Sequence, residues 1–212
     1  MEFLTSEEER ILGSLIEKKY TTPEYYPLTL NSIKYACNQK SNRLPVVNYT
    51  DEKIEEVIEL LIEKKLLFKV SASEFRVTKY DENITRFFEL TKPQIAVMCI
   101  LMLRGPQTLG EIRSRSGRIY TFKDLREVED VIGSLIKKES EHKLVKKFPR
   151  LSGREPRYAC ILSGEPKSEV KEKSGSTDEN VQIEKFKKQI EKLRGDLLKL
   201  RTDFEKFKKQ FE

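Results

Sequence analysis

Basic side chains crowd into one stretch of this 212-residue sequence. The candidates for phosphate contact are Arg113, Arg115, Arg118, Lys123, Arg126, Lys143, Lys146, Lys147, Arg150, Arg154 and Arg157. Guanidinium and ammonium groups bind phosphate oxygens through charge-assisted hydrogen bonds, so this cluster suits a nucleic-acid backbone. Two simpler explanations stay open. Glu111 can pair with Arg115 four residues later, and a charged hairpin can be an ordinary solvated surface.

A polar loop nearer the N-terminus is the second candidate for such contacts. It contains Asn38, Gln39, Lys40, Asn42 and Arg43. Amide groups and two cations could contact phosphates or bases. Equally, Asn38 could cap the preceding helix while the rest of the loop forms polar turns.

Patterns typical of catalysis and of metal binding are missing from the sequence. His142 is the one histidine, and no second histidine can join it in a metal site. The sequence has no CxxC, HExxH or GxSxG motif and no glycine-rich phosphate loop. We therefore expect a protein that is not an enzyme and that uses neither metal nor cofactor.

Cysteine usage and hydropathy bear on the compartment. Cys37, Cys99 and Cys160 are odd in number and far apart, each in apolar surroundings, which favours core positions over disulfides. The longest apolar run, Ile95–Leu103, is much shorter than the ~18–20 residues that a bilayer span needs. The acidic start of the chain does not resemble a signal peptide. These features predict a cytoplasmic protein without a membrane segment.

The formal net charge of +6 is unevenly distributed along the chain. Residues 91–163 hold 15 basic and 8 acidic groups, and residues 181–212 hold 10 and 6. Residues 1–80 hold 12 basic and 13 acidic groups, so the first third is electrostatically ordinary. A nucleic-acid interpretation therefore applies to the second third and the tail.

The elements that must position these residues can be predicted from periodicity. Ser6 and Glu9 fit a capping box before a first amphipathic helix. A second helix is expected from about Thr29 to Cys37, and a third from near Thr50 or Asp51. Two β-prone runs, 66–70 and 74–80, then flank a Ser-Ala-Ser turn and predict a hairpin.

The same order recurs in the second half. We expect a helix containing Ile95–Leu103 behind a Thr91/Gln94 capping box, a short helix Thr108–Ser116, a longer helix near Phe122–Lys138, and a hairpin of residues 144–148 and 157–162. Residues 55–64 also align with residues 129–138 at an offset of 74. Three helices followed by a hairpin is the order of a winged helix-turn-helix, in which the hairpin is the wing.

The predicted fold class is therefore mainly α with small β-hairpins (α+β). We expect two tandem winged helix-turn-helix domains followed by a C-terminal coiled-coil helix. The predicted domains are 1–85 and 86–164, with a disordered linker at 165–180 that is almost devoid of apolar residues and the coiled-coil helix at 181–212.

The tail carries an apolar seam that alternates steps of three and four residues. The seam consists of Ile183, Phe186, Ile190, Leu193, Leu197, Leu200, Phe204, Phe207 and Phe211. A parallel pair places Asp196 beside Arg201 and Asp203 beside Lys208 of the other chain, whereas an antiparallel pair sets like charges together. We expect a parallel homodimer. The alternative is a helix that packs back on its own domains.

Several long stretches resemble the signature of the YceH family of bacterial proteins of unknown function. They are Thr21–Asn31, Ala36–Val46, Arg76–Tyr80, Leu103–Arg115 with Arg118, Tyr120 and Phe122, and Arg157–Glu165. The resemblance covers residues 1–165 in order. It implies a tandem winged-helix fold with a coiled-coil-like tail, and it supplies no function.

The charge of the third helix in each predicted domain bears on whether that domain binds DNA or protein. The first, residues 51–65, holds six acids and three lysines, so it is a poor object to place between phosphates and a better one for packing or protein binding. Domain two has the basic wing. We therefore expect a non-enzymatic protein that binds duplex DNA through domain two, as a transcription regulator or chromosome-associated factor. The alternative is a protein–protein scaffold that does not bind DNA, with its partner at domain one.

Overall fold

The structure of the chain is a computed structural model that describes residues 4–70, 77–137, 144–149 and 155–164. The chain divides into two compact units, 1–166 and 167–212, and every described residue belongs to the first unit. The predicted linker, the coiled-coil helix and its dimer seam therefore lie outside the described residues.

The first half begins with a helix and a short 3-10 turn, followed by two further helices. These are α1 (Ser6–Thr21), the turn Pro23–Tyr25, α2 (Leu30–Cys37) and α3 (Asp51–Glu63). The Thr29 hydroxyl accepts a hydrogen bond from the Ser32 N–H, and the Thr50 hydroxyl accepts one from the Lys53 N–H, both 3.3 Å long. The predicted starts of the second and third helices are thus confirmed.

The capping box of the first helix begins one residue earlier than the Ser6/Glu9 spacing predicts. Thr5 caps α1, since its hydroxyl accepts from the Glu8 N–H at 3.1 Å and the Glu8 carboxylate accepts from the Thr5 N–H at 2.6 Å. Glu8 is fully buried and also pairs with Lys64, 2.7 Å away. This tertiary ion pair favours the Thr5 start over the Ser6 start, which spacing alone did not distinguish.

The first sheet contains one more strand than the expected hairpin. Its antiparallel strands are β1 (Leu28–Thr29), β2 (Leu67–Val70) and β3 (Lys79–Glu82), in the order β1-β3-β2. The second strand of the hairpin is predicted over 74–80. Residues 74–76 lie outside the described residues, and Lys79 is the first described residue of this run that pairs with β2. Tyr80 and Glu82 are buried while Lys79 and Asp81 are half-buried, which is the alternation expected of a strand with one face on the core. The two-residue β1 is too short for a periodicity signal.

The second half repeats the order of three helices and a hairpin after a short connecting helix, which was not predicted. The connecting helix is α4 (Ile84–Phe87), and the repeated elements are α5 (Lys92–Arg104), α6 (Leu109–Arg115), α7 (Leu125–Lys137), β4 (Val145–Phe148) and β5 (Arg157–Cys160). Strands β4 and β5 are antiparallel. The predicted mixture of helices with small antiparallel sheets is confirmed.

Among the described residues, one hydrophobic cluster contains side chains from both halves. Helix α1 packs against α5, and Gly13 makes their close approach possible. A Cβ atom at this position would lie 3.0 Å from Leu103 Cδ2. The halves are also linked through the backbone, because the Leu44 N–H donates to the Leu103 carbonyl at 2.9 Å. Within the described ranges, no helix is both long enough and apolar enough to cross a membrane.

Candidate nucleic-acid interface

Helix α6 holds two of the candidate arginines at its C-terminal end. Thr108 caps the helix, and its capping partner Glu111 accepts from the Thr108 N–H at 2.9 Å. Arg113 and Arg115 lie in the last turn, where the negative end of the helix dipole favours cations. The Thr108/Glu111 capping box sets the start of α6, and the two arginines follow one to two turns later.

The loop between α6 and α7 is held by hydrogen bonds to its backbone. Arg113 donates to the Lys123 carbonyl at 2.7 Å. Glu127 accepts from the Lys123 N–H at 2.7 Å and from the Tyr120 hydroxyl at 2.6 Å. The bond with Tyr120 lowers the pKa of Glu127 and raises the pKa of Tyr120. These contacts leave the side chains of Lys123 and Arg126 exposed.

Part of the predicted basic cluster is neutralised by one carboxylate. Glu111 pairs with Arg115 at 3.6 Å and with Arg157 at 3.0 Å. Arg157 also donates to the Pro106 carbonyl at 2.8 Å, and Arg115 donates to Gln107 Oε1. The i,i+4 pair that sequence analysis left open as an alternative is therefore present. These two arginines have less charge to offer a ligand than the sequence alone implies.

The other described members of the cluster differ in exposure. Arg118, Lys123 and Arg126 are exposed, and no ion pair occupies them in the described part of the chain. On β4, the exposed Lys147 places its ammonium 5.8 Å from the Tyr158 ring centroid, and the half-buried Lys146 lies 5.9 Å from that of Phe148. Lys143, Arg150 and Arg154 lie outside the described residues. Phosphate contact by this cluster stays a prediction.

The family-motif loop makes mainly structural contacts. The Asn38 side chain donates to the Tyr49 carbonyl at 2.9 Å and accepts from the Tyr49 N–H at 2.8 Å, so it clips the two ends of the segment before α3 together. Arg43 is buried and forms an ion pair with Glu17 at 2.7 Å. It also donates twice to the Ala36 carbonyl, at 2.8 and 3.1 Å. The Arg43 guanidinium is thus occupied by protein acceptors.

The remaining loop residues differ in exposure. Lys40 and Asn42 are exposed, whereas Gln39 is half-buried. Asn42 adopts a positive φ of 60°, and its side-chain oxygen accepts from Arg104. The sequence patterns assign no role to Arg104, and this contact is not predicted by them. The one sequence feature that singles out Arg104 is its place, with Arg115, in the Leu103–Arg115 motif.

The cysteines occupy the apolar core, as predicted. Cys37, Cys99 and Cys160 are all buried and unbridged. Burial raises the pKa of the Cys37 thiol to about 11, which disfavours the reactive thiolate at neutral pH. The described residues contain no group of three or more His, Cys, Asp or Glu side chains arranged to hold a metal ion.

Helix α3 has the opposite charge character to the second half. Its exposed carboxylates are those of Asp51, Glu52, Glu55, Glu56, Glu59 and Glu63. Lys53 pairs with Glu56 at 3.1 Å, and Lys69 on β2 pairs with Glu59 at 2.7 Å. Leu60 and Phe68 are exposed beside these acids. This face would repel a nucleic-acid backbone.

Comparison with known proteins places the chain in a family. Residues 4–154 match the family model "Protein of unknown function, DUF480". The chain is 47% identical over 163 residues to a UPF0502 protein of Solibacter usitatus, covering 76% of this chain and 77% of that protein. It is 44% identical to a UPF0502 protein of Opitutus terrae, with coverages of 76% and 70%. A third relative, from Vibrio atlanticus, is 45% identical, with coverages of 74% and 74%.

These matches agree with the resemblance to the YceH family that the motifs carry. The chain belongs to the DUF480/UPF0502 family of uncharacterised bacterial proteins.

Proposed function

We propose that this protein is a non-enzymatic tandem winged-helix protein that binds the backbone of duplex DNA through its second half. In this proposal α6 and α7 form the helix-turn-helix, and β4 and β5 form the wing. The repeated order of three helices and a hairpin supports the winged-helix assignment. The protein would act as a transcription regulator or a chromosome-associated factor.

The observation that carries the proposal is the set of exposed cations around the start of α7. Arg118, Lys123 and Arg126 lie in the loop before α7 or in its first turn and are not consumed by ion pairs in the described part of the chain. The N-terminal end of a helix also carries partial positive charge, which adds to the attraction for phosphate. Asp124 and Glu127 lie among these cations, and Glu129 and Asp130 are exposed further along α7, so the contacts would come from the three cations and not from the whole face of the helix.

A salt series with random duplex DNA tests the proposal. Fluorescence anisotropy of the full chain should show binding that weakens steeply as salt rises. Four to six phosphate contacts would give a slope of roughly −4 to −5 in log K against log salt for each protomer. No binding at low salt would refute the proposal.

A matched pair of variants tests whether the start of α7 contacts the DNA. We expect Arg126→Gln to reduce the salt slope by about one, because one phosphate contact is lost. Arg86→Gln is the control, since it removes the same charge from an exposed arginine on α4. Equal effects of the two substitutions would show that DNA binding depends only on the net charge of the protein and not on the position of the arginine.

The acidic surface of α3 favours a second candidate function, that of a protein–protein scaffold. Carboxylates around the exposed Leu60 and Phe68 suit a basic partner with an apolar contact residue. This candidate predicts no DNA binding at physiological salt and a partner lost when Leu60 is changed to Glu. Leu125→Glu, which makes the same change at an exposed leucine of α7, is the control.

A parallel homodimer through the 181–212 helix stays part of the proposal, and its seam lies outside the described residues. It would set two copies of the second half side by side. Sedimentation of the full chain beside a chain that ends at Gly164 tests it. Equal monomeric masses would refute the dimer.

A further inference from the structure

A cavity of about 350 Å³ opens between α1, α5, α6 and the turn that follows α6. Arg104, Arg115 and Arg118 line it, together with the apolar side chains of Ile100, Leu103 and Ile119. Ligand pockets typically measure about 300–1,000 Å³, so this cavity suits a small molecule. An apolar wall beside convergent polar groups is also the usual composition of such pockets.

The charges around the cavity do not balance. Three arginines and one carboxylate, that of Glu17, line it. Arg43 binds both oxygens of that carboxylate, at 3.2 and 2.7 Å, so Glu17 is not available to the lining arginines. Arg115 lies 3.6 Å from Glu111 and donates to Gln107 Oε1, so part of its guanidinium is already occupied. The four charged residues of the lining therefore carry a formal charge of +2.

Arg104 is held in surroundings that disfavour its charge. Burial, followed by repulsion from Arg115, lowers the pKa of Arg104, and Arg43 adds to the repulsion although Glu17 opposes it. The side-chain acceptor of Arg104 is the neutral amide oxygen of Asn42. Arg118 makes no hydrogen bond or ion pair in the described part of the chain. An anion in the cavity would relieve the repulsion between Arg104 and Arg115. It would also supply hydrogen-bond acceptors to the guanidinium groups of Arg104 and Arg118.

We propose that this cavity binds a small molecule bearing a phosphate monoester, held by the guanidinium groups of Arg104, Arg115 and Arg118. A phosphate monoester carries about −1.5 to −2 charges at neutral pH, which matches the positive excess. Its oxygens accept the parallel hydrogen bonds that guanidinium groups donate. Ile100, Leu103 and Ile119 would contact the organic part of the ligand. The inference does not depend on DNA binding.

Isothermal titration of the full chain with phenyl phosphate, at constant ionic strength, tests the inference. We expect saturable binding at a single site per chain, and no binding of phenol, which lacks the phosphate. Because a hydrogen bond to a charged group contributes about 1.5–3 kcal/mol, Arg104→Gln should weaken binding roughly tenfold to a hundredfold. The ligand should also raise the unfolding temperature of the parent chain.

Controls separate the cavity from general attraction to a basic protein. Arg86→Gln, on α4 and outside the cavity, should leave the affinity unchanged. Arg118→Gln provides a second test in case Arg104→Gln disturbs folding, because Arg118 is exposed. It too should weaken binding about tenfold. No saturable binding at millimolar phenyl phosphate, or equal binding by the parent and both cavity variants, would overturn the inference.

A final arm distinguishes a free ligand from DNA phosphate. The parent chain is titrated with phenyl phosphate in the presence and absence of random duplex. Binding of phenyl phosphate without any binding of duplex would refute the proposed DNA function and support the cavity. Binding of duplex without phenyl phosphate would do the reverse.

Discussion

The Arg43→Ala substitution separates a structural role of the family-motif loop from a nucleic-acid role. In the structure, Arg43 is buried and links α1, through Glu17, to the end of α2, through the Ala36 carbonyl. Truncation to alanine removes every one of these hydrogen bonds. It also removes from the Glu17 carboxylate the guanidinium that binds both of its oxygens, and leaves the arginines of the neighbouring cavity as its nearest cations.

The expected cost follows from that geometry. Removing one partner of a buried ion pair costs about 3–5 kcal/mol, and the remaining 14% exposure of the Glu17 side chain places this pair near 3 kcal/mol. For a unit of this size, 1 kcal/mol shifts the unfolding midpoint by about 2–4 °C, so we expect a loss of about 6–12 °C. Adding Glu17→Gln to Arg43→Ala should change the free energy of unfolding by less than about 1 kcal/mol further, because the ion pair between the two residues is already broken.

Urea unfolding followed by far-UV circular dichroism measures the effect on the full chain. Lys40→Ala is the matched control, since it removes an exposed cation from the same loop and should change the free energy of unfolding by less than about 0.5 kcal/mol. An Arg43→Ala chain that unfolds within about 1 kcal/mol of its parent would refute the structural role. A folded Arg43→Ala chain that loses DNA binding would return this residue to the nucleic-acid hypothesis.

Three further predictions follow from other contacts. Thr5→Ala should destabilise the chain by about 1 kcal/mol and Ser6→Ala by much less, measured by thermal unfolding; the opposite ranking would contradict the Thr5 start of α1. Asn38→Ala should cost about 1–3 kcal/mol in urea unfolding, because both Tyr49 backbone groups lose a partner, and a neutral result would mean that water replaces the amide. Burial raises the pKa of Glu9 above its ordinary 4.5, so stability should fall as pH rises from the unfolded pKa through the folded one. Glu9→Gln should remove this loss and raise the unfolding temperature at neutral pH, and an unchanged pH profile would count against it.

Strongly periodic helices were predictable from the sequence, whereas elements defined by tertiary pairing were not. The starts of α2 and α3 follow from threonine caps ahead of apolar periodicity, which is local information. Strand β1 pairs with β3 about 50 residues away, and α4 spans one turn between the halves. Neither has a period long enough to detect. The α1 start was missed because the deciding contact, between Glu8 and Lys64, is long-range.

The candidate site was predictable in composition but not in pairing. The sequence identifies the arginines and lysines, yet it does not show which of them protein acceptors occupy. Arg43 is bound by Glu17, which lies 26 positions earlier in the chain, and Arg157 by Glu111, 46 positions earlier. Arg104 joins the cavity only because α5 and α6 pack together. Such contacts depend on the fold and have no local spacing rule.

The core shared by the two halves affects the free energy of binding any ligand that contacts both of them. Modules joined by a linker lose orientational freedom on binding, and their effective concentration depends on linker length. Here α1 and α5 pack across a bare glycine, so the relative orientation of α3 and α7 is established when the chain folds. A ligand that touches both halves therefore meets a preorganised surface, and none of its binding free energy is spent on aligning them.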